Sequence, residues 1–128
     1  EYLGATQVVL VILSSGYFAS RNCMREVCAC HEQQKPIVLV HETDESKGGA
    51  PLHRLRGECA AKVRPYVFGS EASPSAVIPW HRISDFQLVS LKLIVAAMLH
   101  GCPGYRLGTP LDLFIPKEPS HLCLAFRS

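Results

Sequence analysis

The chain has 128 residues, of which 48% are apolar, and its 13 basic and 11 acidic side chains leave a net charge of +2 with the histidines neutral. That length fits one folded domain, and the composition excludes an intrinsically disordered chain. The basic residues are scattered, which excludes the clustered patch of a nucleic-acid binder and the cationic face of a membrane-surface helix. The longest apolar segments, 8–13 and 88–99, the latter interrupted by Ser90 and Lys92, fall short of the roughly 18 uninterrupted residues of a membrane span. Membrane insertion is not expected.

Residues 7–13 (QVVLVIL) run apolar without polar alternation, the pattern of a strand covered on both faces of a parallel sheet. Ser20 or Asn22 can cap the next helix, which runs to about Gln34 and must stop before Pro36. Residues 37–40 repeat the buried-strand pattern. Strand, helix and strand within about 35 residues make a βαβ unit. Residues 43–50 are polar and carry Gly48-Gly49, a loop at the carboxyl end of the second strand. Pro51 suits the first turn of a helix over 52–62. Residues 77–79 read as a third strand ending at Trp80. Ser84-Asp85-Phe86-Gln87 fits a capping box with Ser84 as N-cap, opening a helix over 85–100 that is apolar nearly all round and should be well buried. From Cys102 onward prolines and glycines punctuate two short apolar pieces, 111–115 and 122–126, which read as strands of a hairpin or the start of a neighbouring domain.

Six cysteines lie at 23, 28, 30, 59, 102 and 123. Three share one predicted helix, so reduced thiols are expected rather than a disulfide framework. Cys28-Ala29-Cys30-His31 lacks the C-x₂-C spacing and a second ligand pair, and no metal site is expected.

Ligands of open parallel sheets bind outside the carboxyl ends of the strands. Ser14, Ser15, His41, Glu42, Trp80 and His81 fall at such ends. His41 and Glu42 read either as an acid–base pair or as polar loop-edge residues. Trp80-His81-Arg82 reads either as a packed aromatic with a basic edge or as a substrate clamp. Lys47-Gly48-Gly49 reads as a loop, without the spacing of a P-loop. Cys23 near the helix start could carry a lowered pKa, but spacing places no catalytic histidine beside it. On the helix, Cys23, Val27 and Cys30 form a stripe at i, i+4 and i+7. Glu26 falls at its border, where partial desolvation would raise a carboxylate pKa. A salt-bridged flank residue beside Arg25 is the alternative.

Leu13-Ser14, Tyr17, Ser20, Cys23 and Glu26-Val27 resemble, in order and spacing, the strand–helix pattern of Toll/interleukin-1 receptor (TIR) domains. Lys35-Pro36-Ile37-Val38-Leu39-Val40 is similar to the family's next strand. Phe86-Gln87-Leu88-Val89-Ser90-Leu91, after Pro79-Trp80-His81, sits where the family places its last strand and helix. The resemblance covers about residues 5–101. It implies a flavodoxin-like three-layer α/β fold, a parallel sheet with helices on both faces. The family's first strands and helix are then expected upstream of Glu1, so that 1–101 is a partial TIR-like domain and 102–128 an extension or the start of a following domain. The family's tryptophan before the cysteine is Asn22 here.

The resemblance also implies a function, a cytoplasmic signal-transduction module that self-associates with other TIR domains. A subset of the family hydrolyses NAD⁺ through a glutamate at the position of Glu26. In the intact parent domain Glu26 would be the catalytic carboxylate, with Ser14, Tyr17 and Cys23 lining the substrate pocket. Cleaving the nicotinamide–ribose bond develops oxocarbenium character that one carboxylate can stabilise, and the cationic ring is already a good leaving group. NAD⁺ would be substrate; no cofactor is expected. A nucleoside deoxyribosyltransferase, which also sets a carboxylate on ribose, is the more distant alternative.

Overall fold

The computed structural model describes residues 6–104. In chain order the elements are β1 (Val9–Leu13), α1 (Arg21–Glu32), β2 (Ile37–Glu42), a 3₁₀ turn (Glu45–Lys47), α2 (Leu52–Glu58), α3 (Arg64–Phe68), β3 (Val77–Trp80) and α4 (Ser84–His100). The strands form one sheet in the order β1-β2-β3, parallel throughout, with Val9 opposite Ile37 and Leu39 opposite Val77.

Side-chain alternation sorts the sheet into two faces. Val11, Leu13 and Leu39 enter the larger core with Val27 of α1, Leu55 of α2, and Val67 and Phe68 of α3. Val38, Val40 and Ile78 point the other way and meet Ile94 of α4. The chain is thus a mixed α/β protein in which helices flank both faces of a three-stranded parallel sheet. The strands expected over 111–115 and 122–126 lie outside the described residues.

Local signals set most boundaries. Ser20 caps α1, its side chain accepting from the Cys23 amide at 3.4 Å. The helix gives way at Gln34, which has φ 52°, and Pro36 then favours extended backbone before β2. Gly101 ends α4 for a steric reason. A Cβ there would stand 2.8 Å from Val8 Cγ2 and 3.2 Å from Pro36 Cβ, so only glycine lets the helix end so close to the start of β1 and β2.

Four expectations require correction. Residues 52–62 do not form one helix. Cys59 is extended at ψ 129°, and Arg64 donates through Nη2 to the Cys59 carbonyl at 2.7 Å and the Gly57 carbonyl at 3.4 Å, satisfying the end of α2. Pro65 then opens α3, where its missing N–H costs nothing. The capping box at Ser84 is not made: Ile83 is the N-cap, with no side-chain cap bond, and the Gln87 amide reaches the Ile83 carbonyl at 2.9 Å.

The other two corrections concern burial. β1 is covered on one face only, and Leu10 and Ile12 are 40% and 53% exposed because α4 packs over β2 and β3 instead. Nor is α4 well buried. Ser90, Ile94 and Val95 are enclosed, while Phe86, Leu88, Val89 and Leu93 are exposed, since a helix lying on a sheet hides only the side turned toward it. No helix among the described residues is long and apolar enough to cross a membrane.

Candidate functional site

Two groups of side chains stand on opposite faces of the sheet. The first surrounds the start of α1. Ser14, half-buried at the end of β1, accepts the Tyr17 amide on its carbonyl at 3.1 Å. That turn lays the Tyr17 ring edge-on against Phe18, with centroids 5.1 Å apart. Cys23 is half-buried on the first turn of α1. Burial pushes the Tyr17 hydroxyl pKa well up, and negative charge on Cys23 and Glu26 adds to the effect. Burial likewise raises the Cys30 thiol, helped by Glu26. Tyr17, Cys23 and Glu26 are therefore brought together within one electrostatic neighbourhood, with Ser14 in the turn beside them.

Glu26 itself is exposed, contrary to the partial burial expected of it. Val27 and Cys30 take the inward positions, which turns Glu26 out to solvent. Asn22, in the place of the family's tryptophan, is also exposed and forms no wall. The described cysteines are free, with Cys30 and Cys59 buried. His31 stacks on Tyr66 at 4.9 Å rather than facing a ligand set. No group of three or more His, Cys, Asp or Glu residues suited to a metal ion occurs among the described residues.

The second group lies at the carboxyl ends of β2 and β3, where register sets Glu42 beside Trp80. Parity along β2 continues Val38 and Val40 into Glu42, so this carboxylate points to the α4 face. It is only 5% exposed. Its Oε1 accepts the Asp44 amide at 3.0 Å and its Oε2 accepts Arg82 Nη2. Burial works against the charge, but the Arg82 and Asp44 hydrogen bonds together with the guanidinium charge overcome it and hold the Glu42 carboxyl below its ordinary range. A buried charge survives when it is paired and hydrogen-bonded in this way.

The loop after β2 is tied down around this pair. His41 Nε2 donates to the Ala50 carbonyl at 2.7 Å, which gives His41 a structural partner rather than a substrate. Asp44 accepts from the Ser46 hydroxyl at 2.6 Å and the Ser46 amide at 2.9 Å. A Cβ on Gly49 would lie 2.6 Å from the Glu42 carbonyl oxygen, so the loop closes only with glycine there. The amides of Lys47 and Gly49 bond the Asp44 carbonyl, and that of Gly48 bonds Glu45. Those donors are consumed within the loop, which leaves no phosphate cradle.

Beside the pair is a cavity of about 350 Å³ walled by Leu10, Ile12, Val40, Trp80, Leu91 and Ile94. Glu42 and Arg82 supply its polar edge, and Arg82 remains 47% exposed. The sequence marks Glu42 and Trp80 as strand-end residues and Arg82 as part of a basic edge or substrate clamp, but not their convergence. The available signal was the acidic residue two positions beyond Val40 on the same strand face. Neither Ser14, Tyr17, Cys23 nor Glu26 lines this cavity. Set against known proteins, the chain matches no family model, no curated protein and no solved structure.

Proposed function

We propose that this chain is a TIR-like signal-transduction module of flavodoxin-like type, acting in the cytoplasm by association with copies of itself or other TIR domains. The observation that carries the reading is the apolar stripe on the outer flank of α4. Phe86, Val89 and Leu93 stand about half exposed at helical spacing i, i+3 and i+7, so they share one face. A contiguous apolar stripe left in water is a feature of interaction surfaces. The test is sedimentation equilibrium across a concentration series, comparing the unsubstituted chain with Leu93→Glu and with Lys62→Glu as a distant control. The expected result is self-association that Leu93→Glu abolishes and the control retains. A monomer at every concentration, or equal association in all three proteins, would refute it.

A second reading is favoured by the grouping of Tyr17, Cys23 and Glu26 at the start of α1. In it the intact parent domain cleaves the nicotinamide–ribose bond of NAD⁺, with Glu26 stabilising the oxocarbenium-like transition state. The exposure of Glu26 ranks this reading below association, because a carboxylate in water stabilises developing charge poorly.

A further inference from the structure

We propose that the cavity between β1 and α4 binds a neutral aromatic primary amide, held by Glu42 and Arg82 acting together. The two residues bring opposite unit charges, so the edge they form has no net charge. An anion approaching Arg82 meets the Glu42 carboxylate, and a cation approaching Glu42 meets the guanidinium. Neither charged ligand gains an uncompensated partner, yet each must shed water against hydrocarbon walls, which is costly. Glu42 cannot release Arg82 to accommodate an anion, because it is buried and would keep only the Asp44 amide.

The pair does have hydrogen-bonding capacity in reserve. A guanidinium carries five N–H donors and a carboxylate about four acceptor sites; the structure uses one donor of Arg82 and two acceptor sites of Glu42. A donor thus lies beside an acceptor at the cavity edge. A primary carboxamide presents the complementary arrangement, its oxygen accepting from Arg82 and its NH₂ donating to Glu42. Trp80 contributes an indole surface against which an aromatic ring can lie. The volume falls within the usual small-molecule range, and the polar rim formed by Glu42, Trp80 and Arg82 sits at the carboxyl ends of β2 and β3, the end at which open α/β sheets take ligands. Phe86, Val89 and Leu93 do not line the cavity, so the inference stands apart from association through α4.

Trp80 is the sole tryptophan of the chain, which makes its fluorescence a direct reporter. The experiment titrates benzamide, benzoate and benzylamine, three probes of one size that are neutral, anionic and cationic. Benzamide is expected to give a saturable change, with the other two weaker by about tenfold or more, the consequence of roughly 1.4 kcal/mol. Glu42→Gln leaves Arg82 uncompensated, so the order should invert in favour of benzoate. Leu91→Phe fills the cavity and should abolish benzamide binding whether or not Glu42→Gln folds. The proposal is overturned if benzoate matches benzamide on the unsubstituted chain, if no probe saturates, if Leu91→Phe binds benzamide unchanged, or if folded Glu42→Gln keeps the original order.

Discussion

Replacing Arg82 by alanine isolates the energetics of the buried carboxylate. In the parent chain Glu42 holds two charge-supporting hydrogen bonds, one from Arg82 and one from the Asp44 amide. Removing one partner of a fully buried pair costs about 3–5 kcal/mol, but Arg82 is 47% exposed, and water can replace part of what it supplies. The expected loss near neutral pH is therefore closer to that of one hydrogen bond to a charged group, about 2 kcal/mol. With a urea m-value of about 1–3 kcal/mol/M for a small domain, the denaturation midpoint should fall by roughly 1 M.

The pH dependence provides the sharper check. The folded-state pKa of Glu42 lies below its unfolded value, so its contribution to stability is complete above the unfolded value, about 4.3, and is lost as pH falls through the folded one. In Arg82→Ala burial acts with less opposition and the folded pKa rises toward the unfolded value, so the variant has less of this contribution to lose and the parent loses more stability as pH falls. Below both values the carboxyl is neutral in either protein, and the gap between them should narrow. Urea titrations from about pH 7 down through the unfolded carboxylate value of about 4.3 follow that narrowing. A gap that stays constant across the series, or a loss under about 0.5 kcal/mol at neutral pH, would refute the assignment of Arg82 as the partner that keeps Glu42 ionised.

Leu55 is fully enclosed in the larger core, so Leu55→Ala should cost about 2–5 kcal/mol in the same unfolding assay. Ser90 is buried on α4 and donates to the Pro79 carbonyl at 2.7 Å; Ser90→Ala should cost about 1–3 kcal/mol by leaving that acceptor unpaired. Burial raises the thiols of Cys30 and Cys59, and native protein should therefore protect both from a thiolate-selective reagent at mildly alkaline pH, with labelling followed by peptide mass mapping.

The parts of the fold legible in the sequence were those set by local chemistry. Ser20 and Pro36 marked boundaries because each acts through its own backbone or hydroxyl. The apolar runs of β1 and β2 marked strands, but hydrophobicity alone does not say whether a covering element is present, and the pattern that puts Leu10 and Ile12 inside fits a strand covered on one face equally well. The apolar circumference of α4 invited the same error. The break at Cys59 depends on Arg64 returning to cap the preceding carbonyls, a contact that no propensity encodes. At the candidate site, the resemblance grouped Tyr17, Cys23 and Glu26, which lie close along the chain around the start of α1, while spacing alone put only Glu26 beside Cys23. It did not find Glu42 with Arg82, whose pairing across 40 residues depends on strand register.

The separation of the two groups by the sheet constrains how the functional readings can combine. Glu26 projects from α1 on the face of Val11, Leu13 and Leu39, whereas the cavity opens on the face of Val40 and Ile94. A ligand held by Glu42 and Arg82 is therefore screened from Glu26 by the backbone of β1 and β2. Were Glu26 to cleave NAD⁺ in the parent domain, blocking the cavity with Leu91→Phe should leave nicotinamide release unchanged while Glu26→Ala abolishes it. Loss of turnover in Leu91→Phe with Glu26→Ala fully active would move the chemistry to the α4 face and remove Glu26 from it.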